Sequence, residues 1–142
     1  MVRRLRYLAA HPLDAVVVLL WMSAVEFAVR LVPVSKLANL LGAPLATQPT
    51  EPGVAAQPRL NATDVRRLRL LDALARRWPF GSGPCLRQAL VAGRLLRRHG
   101  PRLRIGAALD HDDLVGHAWV EVGSLEIGHS SDFTMLLSSS GS

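Results

Sequence analysis

Hydrophobic residues crowd positions 13–31 so densely that almost every face of a helical wheel there is apolar. Glu26 and Arg30, four apart, form its one polar stripe and can pair across a single turn. The pattern predicts one helix over 13–31, ended by Pro33, and a helix of this kind needs cover from its own protein, a partner or lipid. Its apolar run, Ala15 to Val25, interrupted by Glu26 and Arg30, falls short of the roughly 20 residues that cross a bilayer. Ser35 is the expected cap of a short second helix, Lys36 to Leu41, stopped by Gly42 and Pro44. Pro44, Pro49, Pro52 and Pro58, interspersed with Thr, Gln and Gly, predict an extended, mobile linker over 43–58.

Helical spacing then returns. Val65, Leu68, Leu71, Leu74 and Trp78 make one apolar stripe, with Asn61 or Thr63 as cap and Pro79 and Gly81 as terminators. Leu86, Ala89, Leu90, Gly93 and Leu96 mark a further helix that closes near Gly100-Pro101. Ser82 is a cap candidate, and Pro84 suits a first helical turn, where its missing N–H costs nothing. Cys85 therefore belongs to that first turn.

After Pro101 the period changes from helical to alternating. Leu103 to Leu109 is a strand candidate, and His117-Ala118-Trp119-Val120-Glu121-Val122 alternates with period two, with His117 opening the strand. Gly123-Ser124 suits a two-residue type II′ turn, and Leu125 to Gly128 returns from it. Phe133 to Leu137 offers one more strand, and Ser138 to Ser142 a frayed tail. The order predicts an α+β protein. A Cys-bearing helix packs on a small antiparallel sheet, behind an N-terminal helical arm. The division is 1–58 for arm and linker and 59–142 for the core.

Composition narrows this less than the pattern does. A hydrophobic fraction of 49% over 142 residues supports one packed domain and excludes global disorder. The net charge is +6, with 16 arginines against the single Lys36. No aromatic-interleaved basic strand or recognition-helix motif accompanies that charge, so nucleic acid is not an expected partner. Arg3, Arg4 and Arg6 ahead of the apolar helix leave peripheral membrane contact open for a protein otherwise expected in the cytoplasm. Asp110, His111, Asp112 and Asp113 read as a solvated polar turn, and no metal or cofactor is called for. With one cysteine there is neither an internal disulfide nor a Cys-x-x-Cys metal pair.

That cysteine sits where chemistry is favoured. A thiol attacks carbonyls as its thiolate, and both a helix N-terminus and a nearby imidazolium favour the anion. Free N–H groups of the same turn can bind the oxyanion of a tetrahedral intermediate. Cys85 is the candidate nucleophile and His117 the candidate base. Counting back from Val122 opposite Leu125 sets His117 opposite Ser130, with His129 and Asp132 close by. Asp132 has the chemistry of a carboxylate that orients the base, while His129 is the alternative nearer in register.

The run from Cys85-Leu86-Arg87-Gln88-Ala89-Leu90 to Leu95-Leu96-Arg97-Arg98-His99-Gly100, followed by Leu103-Arg104-Ile105-Gly106 and Gly116-His117-Ala118-Trp119-Val120-Glu121-Val122, resembles one family. It is similar to the leader peptidases of lasso-peptide biosynthesis, within the transglutaminase-like, papain-like superfamily. The resemblance covers about residues 59–137, including Arg76-Arg77-Trp78-Pro79 and Asp132-Phe133-Thr134-Met135-Leu136, and extends more loosely to the arm. It implies a cysteine endopeptidase that removes the leader from a ribosomally made precursor peptide, commonly after a leader with threonine at its penultimate position. It also implies two partners, a small leader-recognition protein and a separate lasso cyclase. Many members carry an acidic residue just after the returning strand, where this sequence has His129. Two other readings stay open from the residues alone: another acyl transferase on the same fold, and a non-catalytic basic scaffold for a peptide, membrane or nucleic-acid partner.

Overall fold

The fold was obtained as a computed structural model, which describes residue 6 and residues 9–46, 58–78, 84–110 and 112–128. Among the described residues, four helices and a three-stranded antiparallel sheet follow one another in the order α1 (Pro12–Leu31), α2 (Val34–Leu41), α3 (Ala62–Ala75), α4 (Pro84–Leu95), β1 (Arg102–Asp110), β2 (Asp113–Val122) and β3 (Leu125–Ile127). The strands lie in the order β1-β2-β3. This is the α+β arrangement expected, with the Cys-bearing helix α4 packed on β2 and α1 packed on both α3 and α4.

Local chemistry explains most boundaries. Pro12 sits in the first turn of α1. Asn61 caps α3 through a capping box: its side chain accepts the Asp64 N–H at 2.8 Å, and Asp64 Oδ2 accepts the Asn61 N–H at 3.3 Å. Ser35 does not cap α2. That helix begins two residues earlier, at Val34 after Pro33, whose φ of −56° presets the entry, and no side-chain cap is used. Helix α4 ends at Leu95, and a 3-10 turn over Arg97–His99 reaches Gly100, whose φ of +64° makes the exit.

Two expectations change. His117 does not open its strand. β2 starts at Asp113, because Asp110 pairs with Asp113 across a two-residue turn in which Asp112 takes φ +76°. His117 is opposite Gly106 in the middle of a nine-pair ladder. Nor does the proline-rich linker begin at residue 43. The Leu103 N–H donates to Pro44 O at 3.0 Å and the Ala46 N–H to Leu103 O at 2.8 Å, a single parallel bridge that pins 43–46 to the edge of β1. The rest of the linker to residue 57, the Ser82 cap, the Phe133–Leu137 strand and the Ser138–Ser142 tail lie outside the described residues.

The core gathers Val18, Met22 and Val25 of α1, Leu70 and Leu71 of α3, Ala89 to Ala92 of α4 and Leu103, Ala118, Val120 and Val122 of the sheet. Gly93 is where the pinned segment meets it. A Cβ there would lie 2.5 Å from Ala43 Cβ and 3.7 Å from Val120 Cγ2. Alanine for glycine inside a helix ordinarily stabilises by about 1 kcal/mol. Here the contact reverses the sign, and Gly93→Ala should destabilise by roughly 1–3 kcal/mol. A urea midpoint equal to or above that of the wild type would show that Ala43 yields without cost.

Two acidic anchors make stability depend on pH. Asp14 of α1 accepts from Arg66 Nε at 2.6 Å and Arg67 Nε at 2.8 Å on α3. The Arg67 hydrogen bond, helped by Arg66 and opposed by burial, holds its carboxyl below the ordinary value. Asp64 meets His99 Nε2 at 2.9 Å and Arg98 at 3.3 Å. Burial alone would raise its carboxyl; the hydrogen bonds from His99 and Asn61, with the charges of His99 and Arg98, outweigh it and lower it instead. A carboxylate depressed in the fold contributes stability above its unfolded value, near 3.8, and loses it as pH falls through the lower folded value. Stability should therefore hold from neutral pH to about pH 5 and fall steeply below about pH 4. Urea melts of Asp14→Asn and Asp64→Asn should show a flatter acid limb.

Candidate active site

Pro84 and Cys85 are the first two residues of α4, so Cys85 stands in the turn whose backbone N–H groups lack helical partners. The thiol is free and half-buried. The described residues include a shallow apolar cleft lined by Met22, Ala75, Trp78, Arg87 and Gln88. Arg87 and Gln88, which line it, follow Cys85 by two and three residues on the same helix.

The cysteine's turn is braced from α1. Glu26, only 4% exposed, accepts from Arg30 at 2.9 Å and Trp78 Nε1 at 3.3 Å, and pairs by charge with Arg87, whose Nε lies 2.5 Å from its carboxylate. The Glu26–Arg30 pair is the one expected from the sequence. The contacts to Trp78 and Arg87 join it to residues more than fifty positions away, and one of them is two residues from Cys85.

Helix α4 packs on β2, and residues 96–101 lead from its C-terminal end into β1 at Arg102, opposite Glu121. Gly93 is at the level of Val120. From Gly93 back to Cys85 the helix covers about 12 Å, and from Val120 back to His117 the strand covers about 10 Å. Both candidate residues therefore fall at the same end of the helix–sheet stack. Along β2 the side chains alternate: Ala118, Val120 and Val122 enter the core under α4, whereas His117, Trp119 and Glu121 share the other face. On that face the His117 ring stacks on Trp119, with centroids 5.9 Å apart, and Glu121 pairs with Arg104 at 2.9 Å. Trp119 is buried, in keeping with a packing role.

His117 Nε2 lies 2.7 Å from Gly128 O. A carbonyl oxygen only accepts, so Nε2 carries a proton, and in the neutral ring the lone pair is then on Nδ1, the tautomer a general base needs. The sequence did not suggest this partner. The hairpin ladder pairs Val122 with Leu125 as expected and Gly123 takes φ +58°; among the described residues pairing runs to Val120–Ile127, and Gly128 turns at φ +80°. Ser130, which the count set opposite His117, lies outside the described residues. A glycine after the returning strand was the available signal. His129 and Asp132 lie outside the described residues, as does His111 of the β1–β2 turn. Among the described residues no cluster of His, Cys, Asp or Glu could hold a metal ion.

A family profile described as the transglutaminase-like superfamily matches residues 27–138. That span begins within α1 and includes Cys85 and His117. No curated protein and no solved structure matches the chain.

Proposed function

Since the chain belongs to the transglutaminase-like superfamily, a family that suggests cysteine-dependent acyl transfer or peptide hydrolysis, we propose that it is a cysteine endopeptidase that removes the leader from a ribosomally made lasso precursor peptide. The observation that supports the catalytic half of this reading is Cys85 in the first turn of α4, within a family match that also includes His117; His117 projects from the face of β2 away from α4, so the proposal requires the two side chains to meet around the end of the sheet. The peptide half rests on the resemblance of residues 59–137 to leader peptidases.

In this mechanism Nδ1 of His117 takes the Cys85 proton and the thiolate attacks the scissile carbonyl. The N–H groups opening α4 bind the resulting oxyanion. Collapse of the intermediate expels the amine, which takes the proton from His117 and leaves as the new amino terminus of the core peptide. Water, deprotonated by His117, then hydrolyses the thioester and frees the leader. Gly128 O holds the ring's tautomer throughout, and the apolar cleft at Met22 and Trp78 receives a leader side chain beside the cleaved bond. A small leader-recognition protein would present the precursor, and a separate lasso cyclase would consume the freed amine.

The direct test is mass spectrometry of a precursor incubated with the purified chain, with and without the leader-binding protein. Cleavage at a single bond, accelerated by that protein, is expected. Transfer of the acyl group to an added amine without hydrolysis would favour a transferase instead.

A third group should sharpen the base. Asp132 is the proposed carboxylate and His129 the alternative. Gly128 O fixes the tautomer but carries no full charge to stabilise the imidazolium, so Asp132→Asn should lower turnover at least about tenfold, near 1.4 kcal/mol, and leave residual activity. A comparable loss only in His129→Ala would transfer the role. If neither variant falls that far, the machinery is a Cys85–His117 dyad oriented by the backbone.

A further inference from the structure

Helix α1 is inverted relative to a typical surface helix. Its two acids, Asp14 and Glu26, face inward, while Leu13, Val16, Leu20, Phe27 and Leu31 face out, with exposures of 82, 52, 64, 67 and 83%. With exposed Ala24 these positions follow spacings of three and four residues and form one stripe along about 30 Å of helix. Large apolar surface left in a continuous patch marks an interaction site.

We infer that this stripe lies in the interface of an anionic membrane, with α1 parallel to the bilayer and half-embedded. The charge around it selects that occupant. Residues 1–46 contain two acids, Asp14 and Glu26, against Arg3, Arg4, Arg6, Arg30 and Lys36. Both acids are neutralised inside the fold, Asp14 by Arg66 and Arg67 and Glu26 by Arg30 and Arg87. Apart from neutral Ser35 and Asn39, what the described part of this segment exposes is apolar or cationic: Arg6 is exposed ahead of α1, and Lys36 and Leu40, one turn apart on the next helix, are exposed beyond its end. An amphipathic helix with cations at its margins suits phosphate headgroups above acyl chains. A second copy would bring the same cations against each other.

Length and composition would let α1 cross a bilayer, but its placement does not. Val18, Met22 and Val25 are core residues, and the ion pairs to α3 and α4 tie the helix to the domain at both ends. Spanning would pull these charges apart into hydrocarbon.

The test is co-sedimentation of the full chain with vesicles of phosphatidylglycerol and phosphatidylcholine in equal parts, and with phosphatidylcholine alone. Binding should be at least about tenfold stronger to the anionic vesicles and should weaken with added salt. Leu20→Glu/Phe27→Glu should lose at least about tenfold of it, with circular dichroism and melting temperature unchanged because both side chains are exposed. Binding no stronger than to neutral lipid, or unaltered in the double variant, overturns the inference. So does a stable dimer or a protein complex that buries the stripe and withdraws the chain from vesicles. Peptide cleavage is not part of the readout, so the result stands apart from the catalytic reading.

Discussion

Cys85→Ala should abolish release of the leader, with turnover falling by roughly 10³-fold or more. The substitution removes the one sulfur that can form a thioester in this chain. It should leave the fold intact: Cys85 is half-buried in a first helical turn, outside the buried core cluster, and a change of that kind stays near 0.5 kcal/mol. Cys85→Ser is the sharper control, because it keeps size and polarity while supplying a hydroxyl that His117 activates poorly. His117→Ala should approach the same residual rate, since residues that act as a unit do not contribute additively. Cleavage retained by purified Cys85→Ala protein would remove the cysteine from the chemistry and return the chain to a binding role.

The largest expected effect on stability is at Glu26. Glu26→Met leaves Arg87, whose side chain is 19% exposed, without its carboxylate. It also takes the acceptor from Trp78 Nε1. Removing one partner of a buried pair costs roughly 3–5 kcal/mol, which for a chain of this length is a fall of about 10 °C in melting temperature. Because Arg87 is two residues from Cys85, cleavage should weaken at temperatures where the variant is still folded. Glu26→Met/Arg87→Met isolates the electrostatic cause. An apolar pair in place of an ion pair is often neutral, so the double variant should regain much of the loss. If the two single losses simply add, Glu26 and Arg87 act separately and the brace does not exist.

The sequence was most readable where structure is local. The Asn61 cap, the Gly123-Ser124 turn and the Glu26–Arg30 pair each depend on residues within four positions of one another, and all three are present. Cys85 at a helix start was legible because Pro84 marks the turn. The misses share the opposite cause. The acids of 110–113 read as a loop, although the pairing of Asp110 with Asp113 makes them the tip of a hairpin. That shifted the strand start and placed His117 at an end rather than in the middle. The 43–46 segment looked free because its partner, Leu103, is far along the chain. The inward turn of Glu26 was invisible for the same reason: its partners on α3's exit and on α4 are brought near only by the packing of three helices. Wheel periodicity detected the helix and its mostly apolar surface, but not which apolar side would be left outside.

The packing of α1 on α3 and α4 also bears on the order in which the protein comes into being. The core positions of α1, such as Val18, close against residues near Leu90, and Pro44 waits for Leu103. During ribosomal synthesis at about 5–20 residues per second, α1 emerges roughly 4–15 seconds before the surface that will cover it. Through that interval both of its sides are bare, the one destined for the core as well as the one that stays outside. A nascent chain in this condition is a natural client for a holdase chaperone or for early capture at a bilayer, and slowing translation after residue 46 lengthens its exposure.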